Sequence, residues 1–280
     1  MKAFGSNTAA TEDHDLPLVS VLFITYKRYD LLCQSVAAFR RNTNYPRIEL
    51  VIADDGSGAE VQAKIRTLPA DVFALAGRNR GLGANNNHGL RHCNGKYVLM
   101  LQDDWECQGP PDYLTQAVRV MEANPSVGLI NFAGAPHPPD LNHRLEGSDE
   151  PCYLTPHPYQ EADAEFFLYS DQPHLQSRAA LHYVGPYREF RDMEECETDY
   201  NHRWQSQTKF GTAVFPSYHL RAFTNGDTHS FRTTRVRYKV HRLLQPAKPF
   251  LERHAPSVYR TGKSLVQYGL RVLERARVIR

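Results

Sequence analysis

Two pairs of neighbouring carboxylates are the residues of this sequence best placed for chemistry. Asp54 and Asp55 follow one short apolar run, and Asp103 and Asp104 follow another. A single pair of this kind is usually a solvated turn. Two pairs that each close a buried-strand pattern are instead expected to meet at the carboxyl edge of a parallel sheet. Adjacent carboxylates repel each other unless a cation lies between or beside them. Sites made only of oxygen favour a hard divalent ion, Mg²⁺ or Mn²⁺, which typically bridges substrate phosphates.

The elements that would position these carboxylates follow from alternating strand and helix patterns in the first half of the chain. Apolar runs rich in β-branched residues predict buried parallel strands. Capping residues and apolar positions at helical spacing predict the helices between them. The predicted strands are Leu18–Ile24, Ile48–Ala53 and Tyr97–Leu101, and the predicted helices begin at an Asp30 cap, at a Ser57 and Glu60 capping box, at Gly83 and at Pro110. This alternation predicts an α/β fold with its ligand site at the carboxyl ends of the strands.

The second half of the chain carries a different pattern. Residues 134–165 are rich in proline, histidine and acid, which predicts a long loop over the site. Strand-like pieces follow at Phe166–Tyr169 and Thr212–Phe215, separated by a polar helix around Met193–Gln205. We therefore predict a flexible N-terminal segment over 1–16, one domain over 17–232 and a basic helical C-terminal extension over 233–280.

Composition excludes several classes of protein. The chain has 280 residues, of which 41% are hydrophobic and 23% charged, so disorder and low-complexity architectures are not expected. Its formal net charge of +2 argues against a nucleic-acid-binding protein. The five cysteines form no Cys-x-x-Cys pair, and no apolar leader or long apolar run occurs. These features predict a cytoplasmic protein.

Four motifs, in order and spacing, resemble family 2 glycosyltransferases of GT-A fold. They are the runs Val21–Tyr26, Glu49–Ser57, Asn79–Gly89 and Gly95–Asp104. The resemblance covers about residues 17–232. It implies a Rossmann-like mixed sheet flanked by helices and a nucleotide-diphospho-sugar as donor.

The resemblance also implies nucleotide-binding residues. The first strand of the family ends beside the base, which points to Thr25 and Tyr26 as base or ribose contacts. The first acid of the Asp-Asp-Gly-Ser motif usually binds the base, which points to Asp54, with Asp55 in a supporting role. The segment that starts at Arg78 and Asn79 lies near the nucleotide, where Arg78 or Arg80 would offset phosphate charge.

The metal motif of the family, Asp-x-Asp, falls on Gln102, Asp103 and Asp104. The first acid is replaced by an amide, so Asp104 is the expected ligand of Mn²⁺ or Mg²⁺ and Asp103 is expected to reach the ribose or the metal. In several proteins of this fold, a histidine near the end of the domain contacts the metal or the diphosphate, which points to His229.

A second acidic motif of the family supplies the general base at a helix start. Glu197 and Asp199 occupy its two acid positions in the run Glu194–Arg203. Residues two apart on a helix point in different directions, so only one of them should face the cleft. Glu197 is our first choice, with Asp199 and Glu195 in reserve, and the implied reaction is inverting transfer to an acceptor hydroxyl.

Two alternative functions remain open, nucleotidyl transfer and a non-catalytic scaffold, and a dinucleotide-binding site is excluded. A nucleotidyltransferase would carry a glycine-rich loop after the first strand, but Thr25–Tyr29 contains no glycine. A dinucleotide fingerprint would need a third glycine where Asn86 stands. A non-catalytic scaffold that binds sugar nucleotides in a glycan assembly complex would explain the lost acid at Gln102.

The C-terminal extension is strongly basic. Residues 233–280 contain 12 Lys and Arg against two acids, with apolar residues at helical spacing. Such a helix packs on its own domain, contacts an anionic membrane face where lipid-linked acceptors lie, or binds an anionic partner. The expected acceptor is a glycan or a lipid-linked glycan, and the expected location is cytoplasmic or peripheral on the inner membrane face.

Overall fold

The computed structural model describes residues 16–132, 145–149, 152–155, 168–190, 192–215 and 220–222. His229, most of the predicted N-terminal segment and all of the predicted C-terminal extension lie outside this range. Within it, no helix has the length and apolar character needed to cross a bilayer.

Among the described residues, eight strands form the main sheet. Their bounds are β1 Val19–Thr25, β2 Ile48–Asp54, β3 Val72–Leu75, β4 Tyr97–Gln102, β6 Val127–Asn131, β7 Tyr153–Thr155, β8 His174–Ser177 and β9 Gly211–Val214. The strand order across the sheet is β3, β2, β1, β4, β8, β6, β9, β7. A separate antiparallel pair consists of β5, Trp105–Cys107, and β10, Leu220–Ala222.

Strand direction divides the main sheet into two parts. β3, β2, β1 and β4 are mutually parallel. β8 runs antiparallel to both β4 and β6, so it joins the two parts. β9 lies parallel to β6, and β7 antiparallel to β9. The predicted mixed α/β sheet is thus confirmed, with every carboxyl end of the first four strands at one edge.

In the described part of the chain, six helices accompany the strands and cover both faces of the sheet. They are α1 Tyr29–Asn42, α2 Ala59–Ile65, α3 Leu82–Leu90, α4 Tyr113–Ala123, α5 Arg178–Val184 and α6 Met193–Gln207. One hydrophobic cluster joins Phe23 of β1 to α1 and α4, and a second joins Leu22 of β1 to α5 and α6. Because successive side chains of β1 enter opposite cores, the strand is a continuous apolar run in sequence and is buried throughout.

Several local predictions need correction. α1 is capped at Arg28, and Asp30 lies inside its first turn. α2 begins after Gly58 with no side-chain cap, because the Ser57 hydroxyl donates to Asp54 instead. Leu168 and Tyr169 form a bend where a strand was predicted, and β7 lies inside the predicted loop of 134–165.

Candidate functional site

The carboxyl edge of the parallel strands brings both carboxylate pairs together. Thr25 at the end of β1 stands opposite Asp54 at the end of β2. The Thr25 hydroxyl donates to Oδ2 of Asp103 at 2.7 Å, and the backbone amide of Asp55 donates to the Thr25 carbonyl at 3.1 Å. Thr25 therefore links the turn after β2 to the turn after β4.

Asp54 is turned inward. It is fully buried, and its carboxylate accepts from the Ser57 backbone amide at 2.9 Å, from the Gln62 side-chain amide at 2.8 Å and from the Ser57 hydroxyl. These bonds fix the turn after β2 and the start of α2. The predicted base-binding residue thus has the surroundings of a structural carboxylate.

Asp55 lies at the start of α3. Its two carboxylate oxygens accept the backbone amides of Arg80 and Gly81, each at 2.8 Å. Burial raises the pKa of Asp55, against these two amide bonds, which lower it. Gly56, with φ of +75°, packs directly against the backbone of Arg78. A Cβ atom on residue 56 would lie 2.3 Å from the Arg78 carbonyl carbon, so the position requires glycine.

A cleft of about 430 Å³ opens beside Asp55, between the end of β3 and one face of α3. Three arginines give its wall a positive character, which suits an anionic ligand. Burial and the neighbouring Arg91 lower the pKa of His88, so its ring is neutral near pH 7. The lining residues are Asp55, Leu75, Ala76, Gly77, Arg78, Arg80, Ala84, Asn85, His88 and Arg91.

Only part of the predicted nucleotide set lines this cleft. Within the described residues Asp55 and Arg78 contribute to the wall, whereas Thr25, Tyr26, Asp54 and Asp103 do not. Asn79 is exposed between the two lining arginines. Sequence reasoning missed His88 and Arg91, although their spacing of four and seven residues from Ala84 places all three on one helix face.

Arg28 binds both acids of the turn after β4. One terminal nitrogen of its guanidinium contacts Oδ1 of Asp103 and lies 2.6 Å from Oδ2 of Asp104. Burial raises the pKa of Asp103 to about 7, although the Arg28 charge and the Thr25 hydroxyl act to lower it. The sequence held a signal for Arg28, since it is a basic residue three positions beyond the end of a strand that leads to the same edge.

The carboxylates as placed do not fit a divalent ion. Both oxygens of Asp103 and Oδ2 of Asp104 are bonded to Thr25 or Arg28, and Oδ1 of Asp104 is buried without a hydrogen-bond partner. The described residues also contain no group of three or more His, Cys, Asp or Glu side chains that could hold a metal. The predicted contribution of His229 lies outside the described residues.

The acids of α6 have different partners. Glu197 is partly exposed, and its Oε1 accepts the backbone amide of Asp171 at 2.9 Å. Asp199 is held between Arg188 at 2.9 Å and Arg203 at 2.8 Å. Glu195 is exposed. Of the three candidates, Asp199 is engaged in a structural ion pair, and Glu197 keeps one carboxylate oxygen free of hydrogen bonds within the described part of the chain.

The loop over residues 185–190 seats against α3. The side chain of Asn87 donates to the Tyr187 carbonyl at 2.8 Å and accepts the Tyr187 amide at 2.9 Å. A Cβ atom on Gly83 would lie 2.4 Å from the carbonyl oxygen of Arg188, so the approach requires glycine. Glu189 of the same loop pairs with Arg80 of the cleft wall.

The family model described as Glycosyl transferase family 2 matches residues 20–184. A GalNAc(5)-diNAcBac-PP-undecaprenol beta-1,3-glucosyltransferase of Campylobacter jejuni is 27% identical over 96 residues, which cover 32% of this chain and 31% of that protein. The chain thus matches about a third of the length of this curated relative.

Two solved structures are also similar. S. aureus TarS (residues 1–349) in complex with UDP-GlcNAc has a TM-score of 0.56 at 13% identity, covering 81% of this chain and 65% of that one. The mannosyltransferase PcManGT of Pyrobaculum calidifontis, in complex with GDP-Man and Mn²⁺, has a TM-score of 0.48 at 18% identity, covering 73% and 58%. The likeness to TarS shows a shared GT-A type fold.

Proposed function

This chain belongs to glycosyl transferase family 2, and from that membership we propose that it moves a sugar from a nucleotide-diphospho-sugar to an acceptor hydroxyl with inversion at the anomeric carbon. The observation that carries the proposal is the cleft beside Asp55, at the carboxyl edge of the parallel strands. A cleft of this size, lined by arginines and one buried carboxylate, suits a nucleotide whose diphosphate is anionic and whose base offers N–H donors.

We infer that Asp55, more than Asp54, contacts the nucleotide. Each Asp55 oxygen accepts one backbone amide and retains a lone pair toward the cleft, whereas the Asp54 oxygens bond Ser57 and Gln62 inside the protein. Arg78 and Arg80 offset the charge of the diphosphate, with Asn79 between them. Thr25, Tyr26 and Asp103 are kept as proposed contacts of the ribose side.

Glu197 is the proposed general base. It takes the proton of the acceptor hydroxyl as that oxygen bonds to the anomeric carbon, while the bond from this carbon to the diphosphate oxygen breaks. The attacking and leaving oxygens lie on opposite faces of the carbon, so the configuration inverts. The Asp171 backbone amide, which donates to Oε1 of Glu197 at 2.9 Å, orients the carboxylate.

Mn²⁺ or Mg²⁺ is the cofactor that the family resemblance implies, with Asp104 and His229 as its expected ligands. Because the oxygens of Asp103 and Asp104 are bonded or buried, the mechanism proposed here has no step that passes through an ion.

The proposed acceptor is a glycan or a lipid-linked glycan in polysaccharide or glycoconjugate assembly. The Campylobacter relative is named for a substrate carried on undecaprenol. The basic segment 233–280 suits an anionic membrane face, so we propose a cytoplasmic protein that docks peripherally on the inner leaflet.

A screen and one substitution test the function. Thermal melts with a panel of nucleotide-diphospho-sugars should identify the donor, since a ligand that binds the folded state raises the melting temperature. Glu197→Gln should bind that donor as wild type does but turn over about 10²- to 10⁴-fold more slowly.

Glu194→Gln is the matched control, because Glu194 is an exposed acid on the same helix. It should keep wild-type turnover. Full turnover in Glu197→Gln would move the base elsewhere, and donor binding with no transfer or hydrolysis in wild type would favour the scaffold.

A further inference from the structure

Asp103 and Asp104 are neighbouring carboxylates that share one cationic partner, the side chain of Arg28. Asp103 and Asp104 are largely buried, with side chains 4% and 15% exposed. Two carboxylates at this burial repel each other strongly unless positive charge lies beside them. The guanidinium of Arg28, itself only 12% exposed, contacts one oxygen of each.

The backbone holds Arg28 in this position. Lys27 adopts a left-handed conformation with φ of +56°, and its amide donates to the Ser57 hydroxyl oxygen at 2.7 Å. The Arg28 carbonyl accepts the Leu32 amide at 3.0 Å in the first turn of α1. Arg28 therefore follows a turn tied to the segment after β2 and begins a helix, so the base of its side chain is fixed on both sides.

Within the described residues, three of the four carboxylate oxygens of the pair already have a partner, and the fourth is buried. The Thr25 hydroxyl bonds Oδ2 of Asp103, and Oδ1 of Asp104 faces the interior without solvent access. An ion on Oδ2 of Asp104 would share that oxygen with a guanidinium nitrogen 2.6 Å away, and the two positive charges would repel each other. Gln102 supplies an amide where an acid would have added negative charge for an ion.

We propose that Arg28 is the resident cation of the Asp103 and Asp104 pair and that it occupies the position predicted for Mn²⁺ or Mg²⁺. Arginine stays charged at any pH the protein meets, so one of the two negative charges of the pair is offset before substrate arrives. A consequence, which rests on the proposed sugar transfer, is that the diphosphate of the donor binds without a divalent ion. Arg78 and Arg80 of the cleft offset its charge.

The direct test is Mn²⁺ titration of the full chain without nucleotide, followed by electron paramagnetic resonance of the free ion. Wild type should show no Mn²⁺ site that depends on Asp104. Arg28→Gln vacates the two carboxylates and should bind one Mn²⁺ at least about tenfold more tightly than wild type. Adding Asp104→Asn to Arg28→Gln should remove that gain.

Two further variants serve as controls. Arg28→Lys keeps the charge and should resemble wild type, and Arg66→Gln removes an exposed arginine at the end of α2 and should leave Mn²⁺ binding unchanged. A wild-type Mn²⁺ site of the same affinity as in Arg28→Gln, lost in Asp104→Asn, would overturn the proposal.

A second measurement needs no variant and covers the case in which Arg28→Gln fails to fold. The affinity of wild type for UDP and for GDP is compared in Mn²⁺ and in EDTA. For the nucleotide that binds, the two dissociation constants should agree within about twofold, and a loss of about tenfold or more in EDTA would overturn the proposal. If neither nucleotide nor any sugar nucleotide binds, the proposed function fails, while the Mn²⁺ titration still decides the role of Arg28.

Discussion

Asp54 and Asp55 show how two identical neighbouring residues acquire different roles from their partners. Asp54 is directed into the protein and bonds Ser57 and Gln62, whereas Asp55 is directed to the cleft and bonds the amides at the start of α3. Both are buried, so burial alone does not separate them. The residue that can both fix a helix and meet a ligand is Asp55.

Replacing each acid by its amide should separate these roles. Asp55→Asn keeps one acceptor oxygen and leaves an amide of Arg80 or Gly81 unpaired, so stability should fall by about 1–3 kcal/mol. Donor affinity should fall by about tenfold as the charged acceptor is lost. Asp54→Asn should lose similar stability but keep donor affinity. Urea unfolding and donor titration measure both quantities, and equal losses of affinity in the two variants would contradict the assignment.

His174 gives the fold a dependence on pH. Its ring is buried, its Nδ1 lies 2.8 Å from the Gln172 carbonyl, and burial lowers its pKa to about 4 from the usual 6.5. The unfolded chain therefore takes up a proton near pH 6.5, whereas the folded chain does so only near pH 4. The stability that neutral His174 contributes is complete above about pH 6.5 and is lost as the pH falls toward about 4.

The non-titrating variant His174→Phe isolates this effect. Between about pH 7 and pH 4, wild type should lose about 3 kcal/mol of unfolding free energy relative to the variant. Urea unfolding at several pH values measures the difference. Parallel stability curves for the two proteins would show that His174 does not titrate as its burial requires.

At the scale of elements, α3 connects the cleft beside Asp55 to the loop over 185–190. One end of the helix is bonded by Asp55, and one face lines the cleft. Asn87 on the same helix makes two hydrogen bonds with the backbone of Tyr187, so the loop over 185–190 is fixed to it. Arg188 of this loop pairs with Asp199 of α6. α3 and the loop therefore link the cleft to α6.

The close approach at Gly83 provides a test of this docking. In Gly83→Ala the new Cβ would meet the Arg188 carbonyl at 2.4 Å and the Cys196 sulfur at 3.0 Å. Stability should fall by about 1–3 kcal/mol, although alanine favours a helix by about 1 kcal/mol over glycine. Gly77→Ala is the control, since no atom lies within 4 Å of its added Cβ. Equal melting temperatures for the two variants would exclude a tight contact at Gly83.

The strands whose bounds sequence predicts well are the long apolar ones, of six or seven residues. β1, β2 and β4 enter two cores and are continuous apolar runs, so their bounds were predicted within about one residue. β8 was missed because three of its four residues are polar, and two of these, His174 and Gln176, are buried. Their burial is tolerated because His174 bonds Gln172 and Gln176 bonds the Tyr200 hydroxyl.

Some features of the candidate site could be predicted from sequence and others could not. The convergence of the carboxylate pairs follows from strand direction, which the sequence pattern contains. The Arg28 contact joins residues 75 positions apart, and the separate roles of Asp54 and Asp55 depend on which way each carboxylate turns. Such facts depend on tertiary packing, and no local pattern in the sequence records them.

For the whole molecule, charge is divided along the chain. Residues 1–232 carry an excess of acid, and residues 233–280 carry 12 basic residues against two acids. The net charge of +2 is an average over these two parts. The basic segment is therefore the part expected to meet an anionic surface, as the proposed lipid-linked acceptor would require.

Charge removal in the full chain tests this expectation. Replacing Arg271, Arg275 and Arg277 by glutamine should weaken co-sedimentation with anionic liposomes by about 10²-fold, at about 1 kcal/mol for each basic residue. Arg41, Arg66 and Arg119, which are exposed, form the matched control when replaced in the same way. Equal loss of binding in both triple variants would indicate an effect of net charge alone.

The position of β8 has a consequence for how the chain folds during synthesis. β4 and β6 are not neighbours, and β8 is the strand that pairs with both. In a nascent chain that ends before residue 174, β1 and β4 can pair, but the other edge of β4 has no partner strand. β4 and β6 can be joined only when Ser177 has emerged, so about two thirds of the polypeptide is made before the four residues of β8 link them. Chaperone binding to nascent chains should therefore concentrate on the β4 edge until that point.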